Sequence, residues 1–390
     1  MRILYVHNEY AKPSGEEHAA GELVRLLQEH GHEVRWFTRS SAEIEGSAFG
    51  KIKALATGVY NPSAARQLDK VLCEFNPDIV QVQNLYPLLS TAIFGPIKQR
   101  GIPVVMRCPN YRLFCPNGLC LDNQGKICER CFHGLYEFNC VINNCERSIA
   151  KSFGYALRNV FARTSNRIIN GVDVFIVQSE FQRQKFIKQG INPDKIMILP
   201  GIVPSVNVIG ADSTIGDYVS FVGRVSSEKG IDEFVKAAEL CPGIPFRVAG
   251  NIDLNYKIPD KLPENLEFVG FLKGDHLDEF YIKSRIIVVP SKWYEGFPNV
   301  IVRGMLHSRP VITSNIGAMD SIIDDEVNGL KTPPGDSVNL GQAIAKLWPD
   351  KTMCMNMGRE GRKKAELLYS RANLYTTLMD IYEHAIKTAK

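Results

Sequence analysis

Two short stretches carry the polar residues best placed for chemistry on a phosphorylated ligand. Gly223-Arg-Val-Ser-Ser-Glu-Lys-Gly230 follows an apolar run ending at Val222, and its glycines permit a tight turn. Arg224 and Lys229 then stand at the mouth of the next helix, where cations beside free backbone amides suit a pyrophosphate. Taken alone, the segment reads equally well as a solvated loop. The second stretch, Pro290-Ser-Lys-Trp-Tyr-Glu-Gly-Phe-Pro-Asn-Val-Ile-Val-Arg303, follows the apolar run Ile286 to Val289. Pro298 suits a helix first turn, which leaves the amides from Gly296 to Asn299 facing outward. Glu295, just before them, can accept hydrogen bonds from sugar hydroxyls or support positive charge at an anomeric carbon.

A third group is the thiols. Seven of the ten cysteines fall between Cys108 and Cys145. Cys115, Cys128, Cys131 and Cys145 contain a Cys-x2-Cys knuckle and enough thiolates for a tetrahedral structural zinc; free thiols or occasional disulfides are the alternative. His7, His18 and His133 could serve as acids or bases, but a lone histidine is more often structural, and none is assigned a catalytic role. Asp324-Asp-Glu326 precedes Asn328-Gly and reads as a solvated loop rather than a metal site.

These residues must be positioned by a sizeable fold. At 390 residues, 45% hydrophobic and 23% charged, the chain has the composition of a soluble globular protein of about two domains. The net charge of +4 is too small for a dedicated nucleic-acid binder. The charge is uneven: residues 98–195 hold 15 Lys and Arg against 7 Asp and Glu, whereas residues 206–390 hold 22 against 24. The first of these regions could face anionic lipid or a lipid-linked pyrophosphate, or be a basic solvated face. The opening residues lack the apolar core of a signal peptide, and nowhere do 18 apolar residues run together, so a cytoplasmic protein is expected, at most peripheral to the inner face of a membrane.

Short apolar runs at Ile3 to Val6, Val34 to Phe37, Ile79 to Val82, Ile102 to Met106 and Val174 to Val177 alternate with helix-compatible sequence. Ala20, Leu23, Val24 and Leu27 follow helical spacing, and Gly31 stops that helix. The alternation restarts at Tyr218 to Val222, then at Phe246 to Ala249, Leu266 to Val269, Ile286 to Val289 and Val311 to Thr313. Such alternation predicts two doubly wound α/β domains facing across a cleft, with ligands beyond the carboxyl ends of the strands. The expected division is 1–205 for the first domain, with a cysteine-rich insertion at 108–145, and 206–368 for the second. Residues 369–390 are expected to form a closing helix that packs back on the first domain.

Together, Phe221 to Gly230, Val289 to Asn299, Pro310-Val-Ile-Thr-Ser and Asn328-Gly-Leu with Pro334-Gly-Asp336 resemble the retaining glycosyltransferases called family 4, of the two-domain GT-B fold. Gly31-His-Glu-Val34, Pro77-Asp-Ile-Val80 and Asn110-Tyr-Arg-Leu-Phe-Cys-Pro116 extend the resemblance to nearly the whole chain. It implies a nucleotide-sugar donor held by the second domain and a saccharide or lipid-linked saccharide acceptor held by the first, in surface polysaccharide or glycolipid assembly. Residues matching Arg224 and Lys229 neutralise the donor diphosphate in that family, and the match to Glu295 contacts donor-sugar hydroxyls, so these three are the expected catalytic residues. Gly15, Gly223, Gly296, Phe297, Pro298, Asn299 and Arg303 complete the expected donor site. No cofactor is required for transfer by the resemblance, and some relatives carry a similar cysteine-rich insertion.

The departures are specific. Arg303 stands where the family has a second glutamate that accepts from the donor ribose, and a guanidinium accepts nothing. It must instead bind phosphate or pair with a carboxylate. Gln81, Gln83 and Pro109 stand where the family often has histidines in the cleft of the first domain, and the glycine pair after the first strand is half kept, as Ser14-Gly15. These replacements raise the alternative of a glycosyltransferase-like protein that binds a saccharide or a partner enzyme without turnover.

Overall fold

The computed structural model describes residues 1–10, 15–44, 48–132, 136–203, 206 and 215–389. Ser14, His133 and most of the expected domain junction, residues 204–205 and 207–214, lie outside them. The chain divides into two compact units: Met1–Gln124 with Cys128–Ile202 and Leu374–Lys390, and Val203–Asn373 with Gly125–Ile127.

The N-terminal unit is built on a six-stranded sheet of β1 (Arg2–Glu9), β2 (Glu33–Ser40), β3 (Ile79–Asn84), β4 (Val104–Arg107), β5 (Val174–Val177) and β6 (Ile196–Ile198). Their order is β2-β1-β3-β4-β5-β6, and every pairing is parallel. Parallel strands need crossover helices, which cover both faces and explain why β3, β4 and β5 are buried throughout. On one face Leu23 and Leu27 of the Gly15–Glu29 helix pack with Ile3, Ile79, Val105 and Ile176. Leu374, Leu378, Ile381 and Tyr382 of the Arg371–Thr388 helix join the same core, each 2% exposed or less.

The C-terminal unit repeats the plan with β7 (Tyr218–Val222), β8 (Phe246–Ala249), β9 (Leu266–Gly270), β10 (Ser284–Val289), β11 (Val311–Ser314) and β12 (Gly329–Thr332). Here the order is β12-β11-β10-β7-β8-β9, again all parallel. Phe234 and Ala238 of the Ile231–Leu240 helix pack with Phe221, Val248 and Ile312, and Leu340 and Ile344 of the Ser337–Leu347 helix close that layer. In both sheets the strand order reverses beside the first strand of the unit, the place where ligands collect in doubly wound folds. Two strands were not expected: β6 is only three residues long, and β12 reads Gly-Leu-Lys-Thr, without an apolar run. Among the described residues no helix is long and apolar enough to cross a membrane.

Candidate functional site

The loops after β7 and β10 leave neighbouring strands, since Val288 pairs with Phe221, so they emerge side by side. The first continues through the short turn Ser227–Lys229 into the Ile231–Leu240 helix, hinged at Gly230 with φ +79°. A Cβ there would stand 1.9 Å from the Pro290 carbonyl oxygen, so only glycine lets the two loops approach this closely. The Lys292 amide donates to the Glu228 carbonyl at 2.8 Å, a second tie between them.

This approach brings Lys229 to Glu295. The Lys229 Nζ donates to Glu295 Oε1 at 2.6 Å, while Ser291 Oγ and Trp293 Nε1 donate to the same oxygen at 2.7 and 3.0 Å. All three bonds fall on Oε1. Glu295 is only 6% exposed. Burial pushes its carboxyl up, but the Lys229 charge and the three hydrogen bonds outweigh this and hold it below the ordinary carboxylate range. The Lys229 ammonium also lies 5.3 Å from the centre of the Trp293 ring.

Arg224 lies on the same loop as Lys229 but is held elsewhere, by Asp253 at 2.8 Å and Glu228 at 2.6 Å. Its side chain is half exposed, so it can turn to a ligand by exchanging these partners. Gly223 opens the loop, its amide bonded to the Ala249 carbonyl. Gly296 and Phe297 lead to the Asn299–Leu306 helix, with Pro298 at the cap rather than inside the first turn. Arg303, four residues into that helix, pairs with Asp278 at 2.7 Å, and Asp278 also lies 3.2 Å from His307 Nε2. Burial lowers the His307 pKa. Arg303 therefore meets a carboxylate of its own unit. Gly15 begins the first helix of the N-terminal unit.

In the N-terminal unit His7 is buried, with Glu17 3.7 Å from Nε2, and His18 is exposed. Gln81 is bound to the Tyr382 hydroxyl and Gln83 Oε1 accepts from the Tyr5 hydroxyl at 3.1 Å. Pro109, Gln83 and Arg107 line a small concavity, open to solvent, at the carboxyl end of the sheet.

The expected zinc ligands do not close on one point. Cys120 donates to Cys115 and lowers its pKa to about 7, and Cys140 likewise lowers that of Cys145. Cys128 and Cys131 lie near enough to feel these charges. Yet among the described residues no three Cys, His, Asp or Glu side chains are arranged to hold a metal ion. The thiols pair two by two because Cys120 and Cys140, outside the expected set, sit beside two of its members. As described, the set does not fit a tetrahedral zinc.

Sequence reasoning missed the residues that hold the site in place. Ser291 and Trp293 stand within the quoted stretch, and only the fold shows that both aim at Glu295. Asp253 and Asp278 lie 29 and 25 residues from the arginines they pair with, a distance at which spacing carries no signal.

Residues 14–201 match the glycosyl transferase 4-like domain, and residues 216–350 match the glycosyl transferases group 1. The chain therefore belongs to the family-4-like glycosyltransferases of the GT-B fold. It is 28% identical over 269 residues to an uncharacterized 42.6 kDa protein in the cps region of Klebsiella pneumoniae, covering 68% of this chain and 64% of that one. It is 26% identical over 181 residues to the capsular polysaccharide biosynthesis glycosyltransferase CapM of Staphylococcus aureus, covering 44% and 47%. The chain thus spans about half to two thirds of the length of the curated relatives it matches. Among solved structures, Anabaena HepE in complex with UDP superposes with a TM-score of 0.65 at 16% identity, over 97% of this chain and 99% of that one.

Proposed function

We propose that this protein is a retaining glycosyltransferase that moves a sugar from a nucleotide-sugar donor to a saccharide or lipid-linked saccharide in surface polysaccharide assembly. The observation that carries the reading is the Lys229 to Glu295 pair at 2.6 Å, set on two adjacent loops at the strand-order reversal of the C-terminal unit. Lys229, already beside a buried carboxylate, would meet the diphosphate as its negative charge grows on departure. Arg224 would turn from Asp253 and Glu228 to the same group. Charge stabilisation of this kind acts mainly on the transition state, where the leaving oxygen carries more charge than in the donor. Glu295 Oε2 would accept from the donor-sugar hydroxyls, and the acceptor hydroxyl would attack from the face the diphosphate leaves. The capsular setting of CapM and the UDP bound to HepE support the substrate class.

The test is a thermal-shift panel of uridine, guanosine, cytidine and adenosine diphosphate sugars, followed by product analysis with the stabilising donor. Stabilisation by one nucleotide class, and a product that keeps the donor's anomeric configuration, are expected. A second reading, binding without turnover, draws on Arg303: its partner is Asp278, and no acceptor for ribose stands at that position. Donor binding with neither transfer nor donor hydrolysis would favour it.

A further inference from the structure

Arg107 ends β4, a strand otherwise made of Val104, Val105 and Met106, and its side chain is 1% exposed. A guanidinium at such depth ordinarily has a carboxylate partner. Arg107 has none within ion-pair distance among the described residues; Tyr5 and, more weakly, Glu16 are the neighbours whose charge bears on it. Among the described residues Nε and Nη1 have no hydrogen-bond partner. Gln83, on the adjacent strand β3, is 2% exposed, and its Nε2 is likewise unpartnered although its Oε1 is used by Tyr5. These are donors only. Arginine and the amide nitrogen offer N–H groups and nothing to accept with, so what completes them must bring oxygens.

Both side chains line the concavity at the carboxyl end of the N-terminal sheet, together with Glu16, Asn84, Asn110 and Arg112. The other members are already committed. Asn84 Oδ1 accepts from Arg112 Nη1 at 3.1 Å and from the Tyr86 amide at 3.2 Å, and its Nδ2 donates to the Asn8 carbonyl at 2.8 Å. Glu16 accepts from the Tyr10 hydroxyl at 3.0 Å, and burial raises its pKa, which weakens it as a counter-charge for Arg107. The hollow therefore holds two arginines, a carboxyl whose charge is disfavoured, and three donor nitrogens on neighbouring strands with no partner among the described residues.

We propose that this hollow is an oxyanion subsite, in which Arg107 and Gln83 clamp a carboxylate or phosphate carried by the sugar acceptor. As an acceptor subsite it rests on the transferase reading above, whereas the oxyanion binding does not. Nε and Nη1 lie on different edges of the guanidinium, so a carboxylate or phosphate meets Arg107 through a single charge-assisted hydrogen bond, and Gln83 Nε2 supplies the next donor. A neutral sugar hydroxyl would satisfy one such donor and leave the charge unpaired. The subsite thus selects acidic acceptors: a uronate or a phosphate-bearing sugar.

The experiment titrates the full chain, in phosphate-free buffer, with D-glucose, D-glucuronate and D-glucose 6-phosphate, alone and with UDP, by calorimetry. At least one acidic sugar is expected to bind about tenfold or more tightly than glucose, and the tighter of the two identifies the source of the oxyanion. Arg107→Met is expected to remove that preference, a loss of about tenfold or more that follows from deleting a charge-assisted pair. Gln83→Leu, which deletes one donor and no charge, is expected to weaken the acidic sugar about threefold or more, and serves if Arg107→Met does not fold. Equal affinity for glucose and both acidic sugars, or an unchanged preference in the folded variants, overturns the proposal. Failure of UDP to bind the wild-type chain would count against the transferase reading alone.

Discussion

The two units carry the same sheet plan, yet their carboxyl ends treat charge in opposite ways. In the C-terminal unit every cation of the candidate site has an acidic partner: Lys229 has Glu295, Arg224 has Asp253 and Glu228, Lys292 has Glu233, and Arg303 has Asp278. In the N-terminal unit Arg107 is deeper than any of these and has none among the described residues. A self-neutralised site holds its shape empty, and a ligand enters by exchanging partners. An uncompensated site keeps its donors waiting and is completed only by what binds. The contrast suggests that affinity for a diphosphate is tempered by internal competition in one unit, while selectivity for an anion is set by desolvated donors in the other.

The comparison breaks first at Lys229. Lys229→Ala strands a buried carboxylate, and transfer measured with the cognate donor should fall at least about tenfold, with a stability loss of about 3 kcal/mol in urea unfolding. Unaltered turnover would remove Lys229 from the site. Next in size, Leu378→Ala should cost about 2 to 5 kcal/mol, because Leu378 is fully buried against the N-terminal sheet. Its effect should appear in hydrogen exchange of β1 and β3, with UDP affinity unmoved. Gly230→Ala forces a left-handed residue against the Pro290 carbonyl and should cost at least about 1 kcal/mol, read as a lower melting temperature together with weaker UDP binding.

The smallest effect sharpens the comparison through pH. The folded-state pKa of Glu295 lies below its unfolded value, so its contribution is complete above the ordinary carboxylate range and is lost as pH falls through the folded pKa. Glu295→Gln should therefore flatten the acid limb of a stability-versus-pH curve. Identical acid limbs in variant and wild type would mean that the carboxylate is not held as described.

What was legible in the sequence was whatever is written locally. Gly230 and the Glu295 to Pro298 run are turn and helix-start chemistry, and they located both site loops beside the correct strands. Ten strand runs were readable because parallel strands are rich in apolar residues, continuously so where both faces are buried, as in β4, β5 and β10. β6 escaped because it is only three residues long, and β12 because Leu330 is its one large apolar residue. Arg107 was readable only as one more cation in a basic region. That a charge directly follows Val-Val-Met in a buried strand was the available clue, but its lack of a partner is a property of the fold.

The Arg371–Thr388 helix gives the chain an ordering of its own. It packs with Ile3, Ile79 and Val105, yet it is synthesised after the whole of residues 203–370. On the ribosome the first unit must therefore wait with one flank of its sheet uncovered while the second is made, and its final stitch comes last. Any premature stop late in translation would spare the candidate diphosphate loops and damage the N-terminal unit, so nucleotide binding alone would be a poor gauge of a correctly finished chain.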